Sequence, residues 1–155
     1  MILKYALSLF LVITLTQEEK EFVRIFDAQE NLQSQGWMLN NQKVDFWTFY
    51  HPNGNISKKG HYNHDKKTGY WYFYNENEML LKEGAFTNDN ANNWWIFYTD
   101  KGKKKIQYKN GVKEGYALVY KNNSLEKAER YSENEKTGEW TSYVIFKKDN
   151  PNIKF

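Results

Sequence analysis

The strings WTFY at Trp47, WYFY at Trp71 and WIFY at Trp95 recur 24 residues apart, and ALVY at Ala117 and WTSY at Trp140 follow at intervals of 22 and 23. A period of this length means that each unit is one supersecondary element, too small to bury its own apolar side, so that stacked neighbours make the core. The last residue of the slot is Tyr in all five copies: Tyr50, Tyr74, Tyr98, Tyr120 and Tyr143. Two positions before the Trp slot stand Asp45, Gly69, Asn93, Gly115 and Gly138, all of residue types that tolerate a positive φ. Seven residues earlier come Met38, Tyr62, Phe86, Tyr108 and Tyr131. The interval from these marks to the closing Tyr is always 12, whereas the return interval varies as 12, 12, 10 and 11, which confines length changes to one turn of the unit. Gly36, Gly60 and Gly84 keep the same register, and VRIF at Val23 reads as a worn first copy.

Each unit reads as a β-hairpin. Its core strings are aromatic and β-branched, and the connections HPNGN, NHDKKTG and TDKGK carry the Asn, Asp, Gly and Pro that turns need. The expected fold is all-β, an elongated antiparallel meander of about ten or eleven strands, with no helical periodicity after the first 17 residues apart from a short turn near Glu18 to Glu21. Alternation within a strand sets Trp71 and Phe73 on one face and Tyr70, Tyr72 and Tyr74 on the other. The closing tyrosines then form a ladder, and Tyr72 adds a ring where other copies have Thr48, Ile96, Leu118 and Thr141.

The units GYWYFYNENEMLLKEGAF and FWTFYHPNGNISKKGHY resemble the bacterial variant of the MORN repeat: Gly, any residue, Trp, two residues, Tyr, an Asn-Gly turn, then Gly, any residue, Tyr. The resemblance runs from Gly36 to Tyr143. Departures are Ala117 for the Trp, Glu78 and Ser124 for the turn Gly, and Asp45 and Asn93 for the leading Gly. The resemblance implies a single-layer hairpin sheet acting as a scaffold or interaction surface. Some bacterial members are labelled antitoxins, giving an antitoxin-like reading. WYFY also resembles choline-binding repeats, whose aromatic cages hold a quaternary ammonium. The leading Gly and the longer period favour the MORN variant.

Residues 1–17 pair an early Lys4 with an apolar run ending in Thr16 and Gln17, the pattern of a secretory signal peptide and too short to cross a bilayer. The expected organisation is a signal peptide over 1–17, repeats over 18–146 and a polar tail over 147–155. The chain is expected to be exported, to a periplasmic, cell-surface or secreted location, and to meet a membrane only if its leader stays uncleaved. There is no Cys, so neither a disulfide nor a lipobox anchor is available. The formal charge is +3, with a denser basic patch at Lys101, Lys103, Lys104, Lys105, Lys109 and Lys113. Such a patch reads first as a solvated edge and second as a site for an anionic partner.

No Ser–His–Asp grouping, phosphate-cradling glycine loop or thiol is present in the sequence, and Glu133 with Glu135 reads as a solvated loop. His61, His64 and Asp65 have a spacing that suits a metal but lie in a loop without a fixed third ligand. No catalysis, cofactor, metal or nucleic-acid partner is expected. The expected role is a protein-interaction scaffold; the alternative is a glycan-binding module of the cell envelope. Both would use Tyr50, Tyr72, Tyr74, Tyr98, Tyr120 and Tyr143. An unpaired edge strand makes edge-to-edge pairing of two copies a further expectation.

Overall fold

A computed structural model describes residues 19–153; residues 1–17, expected to be a signal peptide, and the last two residues of the expected tail lie outside the described residues. The first strands are β1 (Glu21–Phe26), β2 (Leu32–Leu39), β3 (Gln42–Tyr50), β4 (Ile56–Asn63), β5 (Lys66–Tyr74) and β6 (Leu80–Thr87). They continue as β7 (Asn90–Thr99), β8 (Gly102–Lys109), β9 (Val112–Lys121), β10 (Ser124–Ser132) and β11 (Glu135–Trp140), followed, among the described residues, by one helix, α1 (Tyr143–Asp149). All eleven strands pair with their sequence neighbours in a single open antiparallel sheet. The meander expected from the repeat is therefore the fold, in one layer.

Wide and tight hairpins alternate from β1 to β7, and every later connection is a tight one of two residues. Asn40-Asn41, His64-Asp65, Asn88-Asp89, Asn110-Gly111, Asn122-Asn123 and Glu133-Asn134 have positive φ at both residues, the conformation of a tight turn whose twist matches the strands. The wider connections, such as 51–55 and 75–79, close on a positive-φ residue, Gly54 or Glu78. Turn side chains also join successive units: Asp65 accepts from the Lys43 backbone N–H at 2.9 Å, and Asp89 from that of Lys67 at 2.9 Å.

Asp45, Gly69, Asn93 and Gly115 have positive φ as expected, but they lie inside strands β3, β5, β7 and β9 rather than in turns. Each lies in a bulge. Between the pairs His61↔Thr68 and Lys59↔Tyr72, one residue on β4 faces three on β5. The two extra residues preserve the alternation of faces while bending the strand. Trp47, Trp71 and Trp95 lie just beyond these bulges. Their indole N–H groups donate to the carbonyls of Trp37, His61 and Ala85 at 2.9, 3.1 and 3.0 Å.

Each of these indoles lies flat over a glycine eleven positions earlier, Gly36, Gly60 or Gly84, and a Cβ on any of the three would overlap the ring. That is why Gly and Trp keep one register. In the next unit the slots hold Ile106 and Ala117, which face each other in the register of β8 and β9. Bulk has moved from one strand to its neighbour. In the last unit the Gly slot holds Glu129. No indole fits over it, and β11 pairs one step out of phase, Glu129 with Glu139 and Ala128 with Trp140. Because Ala128 also pairs with Leu118, Trp140 has crossed to the opposite face.

Two corrections to the sequence reading follow. Gly138 does not take the positive φ of the other four, and Tyr143 does not close a fifth strand: it is the first residue of α1 and 65 % exposed. With Trp140 diverted, β11 stops there and the chain turns back over the sheet. Phe146 is buried with Leu118 and Ala128, against Tyr116 and Trp140. Tyr116 donates its hydroxyl to Asn150 at 2.7 Å, and Trp140 donates its indole N–H to Asp149 at 2.8 Å. The helix thus spans the boundary expected at 146/147.

Candidate functional site

The bulges and the alternation give the sheet two unlike faces. On the tyrosine face, Tyr50, Tyr74, Tyr98 and Tyr120 are half-buried, as is Tyr72. Each closing Tyr leans on a strand already laid down. Gln35 donates to the Tyr50 hydroxyl at 2.6 Å, and Lys59 lies 5.5 Å from the Tyr74 ring. Tyr98 donates to Glu83 at 2.6 Å, and Lys103 lies 5.5 Å from the Tyr120 ring. The bond to Glu83 pushes the Tyr98 hydroxyl up to about 12, with burial and the nearby carboxylate charge adding to it. The structure therefore places four of the six expected site residues in one ladder and Tyr72 beside it. Tyr143, on the helix, stands apart.

Tyr72 packs against Tyr70 at 5.2 Å between ring centres. Beyond that pair the face opens into a groove of about 540 Å³, lined by Tyr70, Ala85, Trp94, Ile96, Lys105 and Leu118. Tyr120 closes its far wall. Trp94 also packs against the cluster beneath α1, so the helix and the groove share a boundary. Burial, then Glu83, raises the Tyr70 hydroxyl above its ordinary range. The hydroxyl keeps its proton and directs it toward Glu83 at the groove rim. The sequence reading missed Trp94, and it named Ile96 and Leu118 only as counterparts of Tyr72 and Lys105 only within the basic patch. The available signal was the doubled Trp94-Trp95 in β7: neighbours in a strand point to opposite faces, so only one of the pair can belong to the repeat slot.

The indole face carries Trp47, Tyr62, Trp71, Phe86 and Trp95 in a chain of edge-to-face contacts, with Tyr62–Trp71 at 5.1 Å and Phe86–Trp95 at 4.9 Å. At its end Glu129 is buried and bonded by Lys104 at 2.6 Å, Lys127 at 3.1 Å and the Tyr131 hydroxyl at 3.0 Å. Burial alone would raise this carboxyl, but the three donors outweigh it and hold it at about 2. The basic patch of the sequence is divided by alternation. Lys103 and Lys105 lie by Tyr120 on the tyrosine face, and Lys104 by Tyr131 on the other.

His61, His64 and Asp65 are engaged separately. His61 packs on Phe46 at 5.1 Å, His64 bonds Asn63 at 2.7 Å, and Asp65 accepts from Lys43. Among the described residues no group of three His, Asp or Glu is placed to hold a metal. His51, for which the sequence suggests no role, bonds the Tyr74 carbonyl at 3.0 Å and ties one wide turn to the next unit. Among the described residues no helix is long and apolar enough to cross a membrane. No family model and no curated protein sequence matches the chain.

Proposed function

We propose that the chain is an exported, non-catalytic scaffold that holds a protein partner on its tyrosine face. One observation carries this reading: a single layer of sheet leaves an apolar groove between Tyr70 and Tyr120 uncovered right up to the edge of α1. Its floor of Ala85, Ile96 and Leu118, with aromatic rings and Lys105 around it, has the makeup of a protein-interface core with a polar rim. The closing tyrosines favour a protein over a neutral sugar, because Tyr98 already donates its hydroxyl to Glu83 and the Tyr50 hydroxyl oxygen already accepts from Gln35. A glycan platform would need those groups free to bond the sugar.

Affinity capture from the native envelope tests this. Tyr70 is 40 % exposed, so Tyr70→Glu places a charge in the groove without disturbing the core. A partner retained by the wild type and by Thr87→Glu, a change on an exposed strand end, is expected to be lost with Tyr70→Glu, by roughly tenfold or more for a central aromatic contact. Equal capture by all three proteins would refute the assignment.

A further inference from the structure

On the indole face, one line of direct cross-strand neighbours runs Phe49, Lys58, Phe73, Lys82, Phe97, Lys104 across β3 to β8. Ring and ammonium alternate without a break, one strand spacing apart, about 4.8 Å. Lys58 lies 4.7 Å from the Phe49 ring centre and Lys82 lies 4.9 Å from that of Phe73. The line continues through Val119 to Lys127. There an internal carboxylate, Glu129, reaches both Lys104 and Lys127. Toward β3 the lysines have no such partner: among the described residues no carboxylate lies within 4.0 Å of Lys58 or Lys82. Lys58 is held below its ordinary range by burial and then by repulsion from Lys67, and a negative charge placed beside it relieves that repulsion. The first position of the line is Ser34, which pairs with Phe49 and opens into a hollow of about 480 Å³ shared with Lys43 and Lys58.

We propose that this line binds a linear uronate polysaccharide laid across the strands, its carboxylates on Lys58 and Lys82 and its sugar rings on Phe49, Phe73 and Phe97. The geometry selects this class of polyanion. A pyranose advances a polymer by close to one strand spacing, and its C–H face suits an aromatic ring while its carboxylate suits the next ammonium. In a flat uronate ribbon, carboxylates on one side recur every second sugar, as the lysines recur every second strand. A polyphosphate has no apolar side to set on the rings, and a nucleic acid, whose bases could stack there, enters the test as a competitor. The site lies on the opposite face from the protein groove, so both can be occupied at once.

The test uses the full chain with polymannuronate, and with mannan as the uncharged counterpart. Binding of polymannuronate and not of mannan is expected, weakening as salt screens the pairs. Lys58→Gln with Lys82→Gln is expected to weaken it by roughly tenfold, the effect of two partly desolvated charge pairs. Lys59→Gln with Lys103→Gln, equal in charge but on the tyrosine face, is expected to leave it within about twofold, the scale of long-range attraction alone. On the unaltered protein, an oligomannuronate is expected to shift the NMR signals of Phe73, Lys82 and Phe97 and not those of Tyr70 and Ile96. Equal binding of mannan, equal loss in the two double variants, or shifts confined to the tyrosine face would overturn the proposal. So would full displacement by lower concentrations of single-stranded RNA or of anionic phospholipid vesicles.

Discussion

Trp71→Ala is expected to lower the unfolding free energy by about 3–5 kcal/mol, the range for removing a buried large aromatic. The ring has no exposed surface, and it packs on Tyr62 at 5.1 Å and Phe86 at 6.1 Å. It also covers the His61 carbonyl, which the bulge at Gly69 leaves for the indole to satisfy. In a single-layer sheet nothing else can refill the space. Adding Gly60→Ile to Trp71→Ala reproduces the arrangement the protein already uses at Ile106 and Ala117. The double variant should recover part of the loss, although Gly60→Ile alone destabilises because its side chain meets the indole. Urea unfolding of the three proteins measures the coupling. Additive losses would show that the two slots do not share one volume.

Acid should strip stability from the opposite end of the sheet. The Glu129 carboxyl sits at about 2 in the fold against an ordinary value of 4.5. Its contribution is complete above pH 4.5 and disappears as the pH falls toward 2, because the unfolded chain takes up the proton first. The difference corresponds to about 3 kcal/mol at most. Glu129→Gln should lose a similar amount at pH 7 and then show a flatter acid limb than the wild type. The donors Lys104 and Lys127 are each about 30 % exposed, at 31 % and 28 %, so water will recover part of their solvation and the measured loss should fall below that ceiling. Identical acid limbs in the two proteins would contradict a depressed carboxyl at this position.

Much of the fold was legible because the repeat imposes the same physical demand several times. The Trp and Tyr slots, the tolerant residues at Asp45, Gly69, Asn93 and Gly115, and the single variable turn all reflect local chemistry. What the spacing hid was register. Tyr131 and Trp140 are nine residues apart, as are Tyr62 and Trp71, yet Trp140 ends on the other face. The cause lies on the neighbouring strand, where Glu129 fills a position that must be Gly for an indole to lie over it. Read with its partner eleven residues earlier, each Trp slot would have announced its outcome: Gly permits Trp, Ile requires Ala, and Glu diverts the ring. The helix followed from that diversion, since Phe146 needs the displaced Trp140 and the small Ala128 to pack against.

The candidate surfaces divide in the same way. Placing the tyrosines in a ladder needed only alternation, but their partners Gln35, Lys59 and Glu83 became visible through strand pairing. The groove at Trp94 and Ile96 and the line of Phe and Lys both consist of residues far apart in the chain, brought into line by ten successive pairings.

The account rests on a sheet one layer thick whose two faces are both open to partners. Solvent paramagnetic relaxation of the side-chain NMR signals measures that directly in the free protein. Strong enhancement is predicted for Tyr70 and Ile96 on one face and for Phe73 and Phe97 on the other, with Trp71 and Phe146 protected. Uniform protection of either face would mean that a second layer covers it, and would contradict the account.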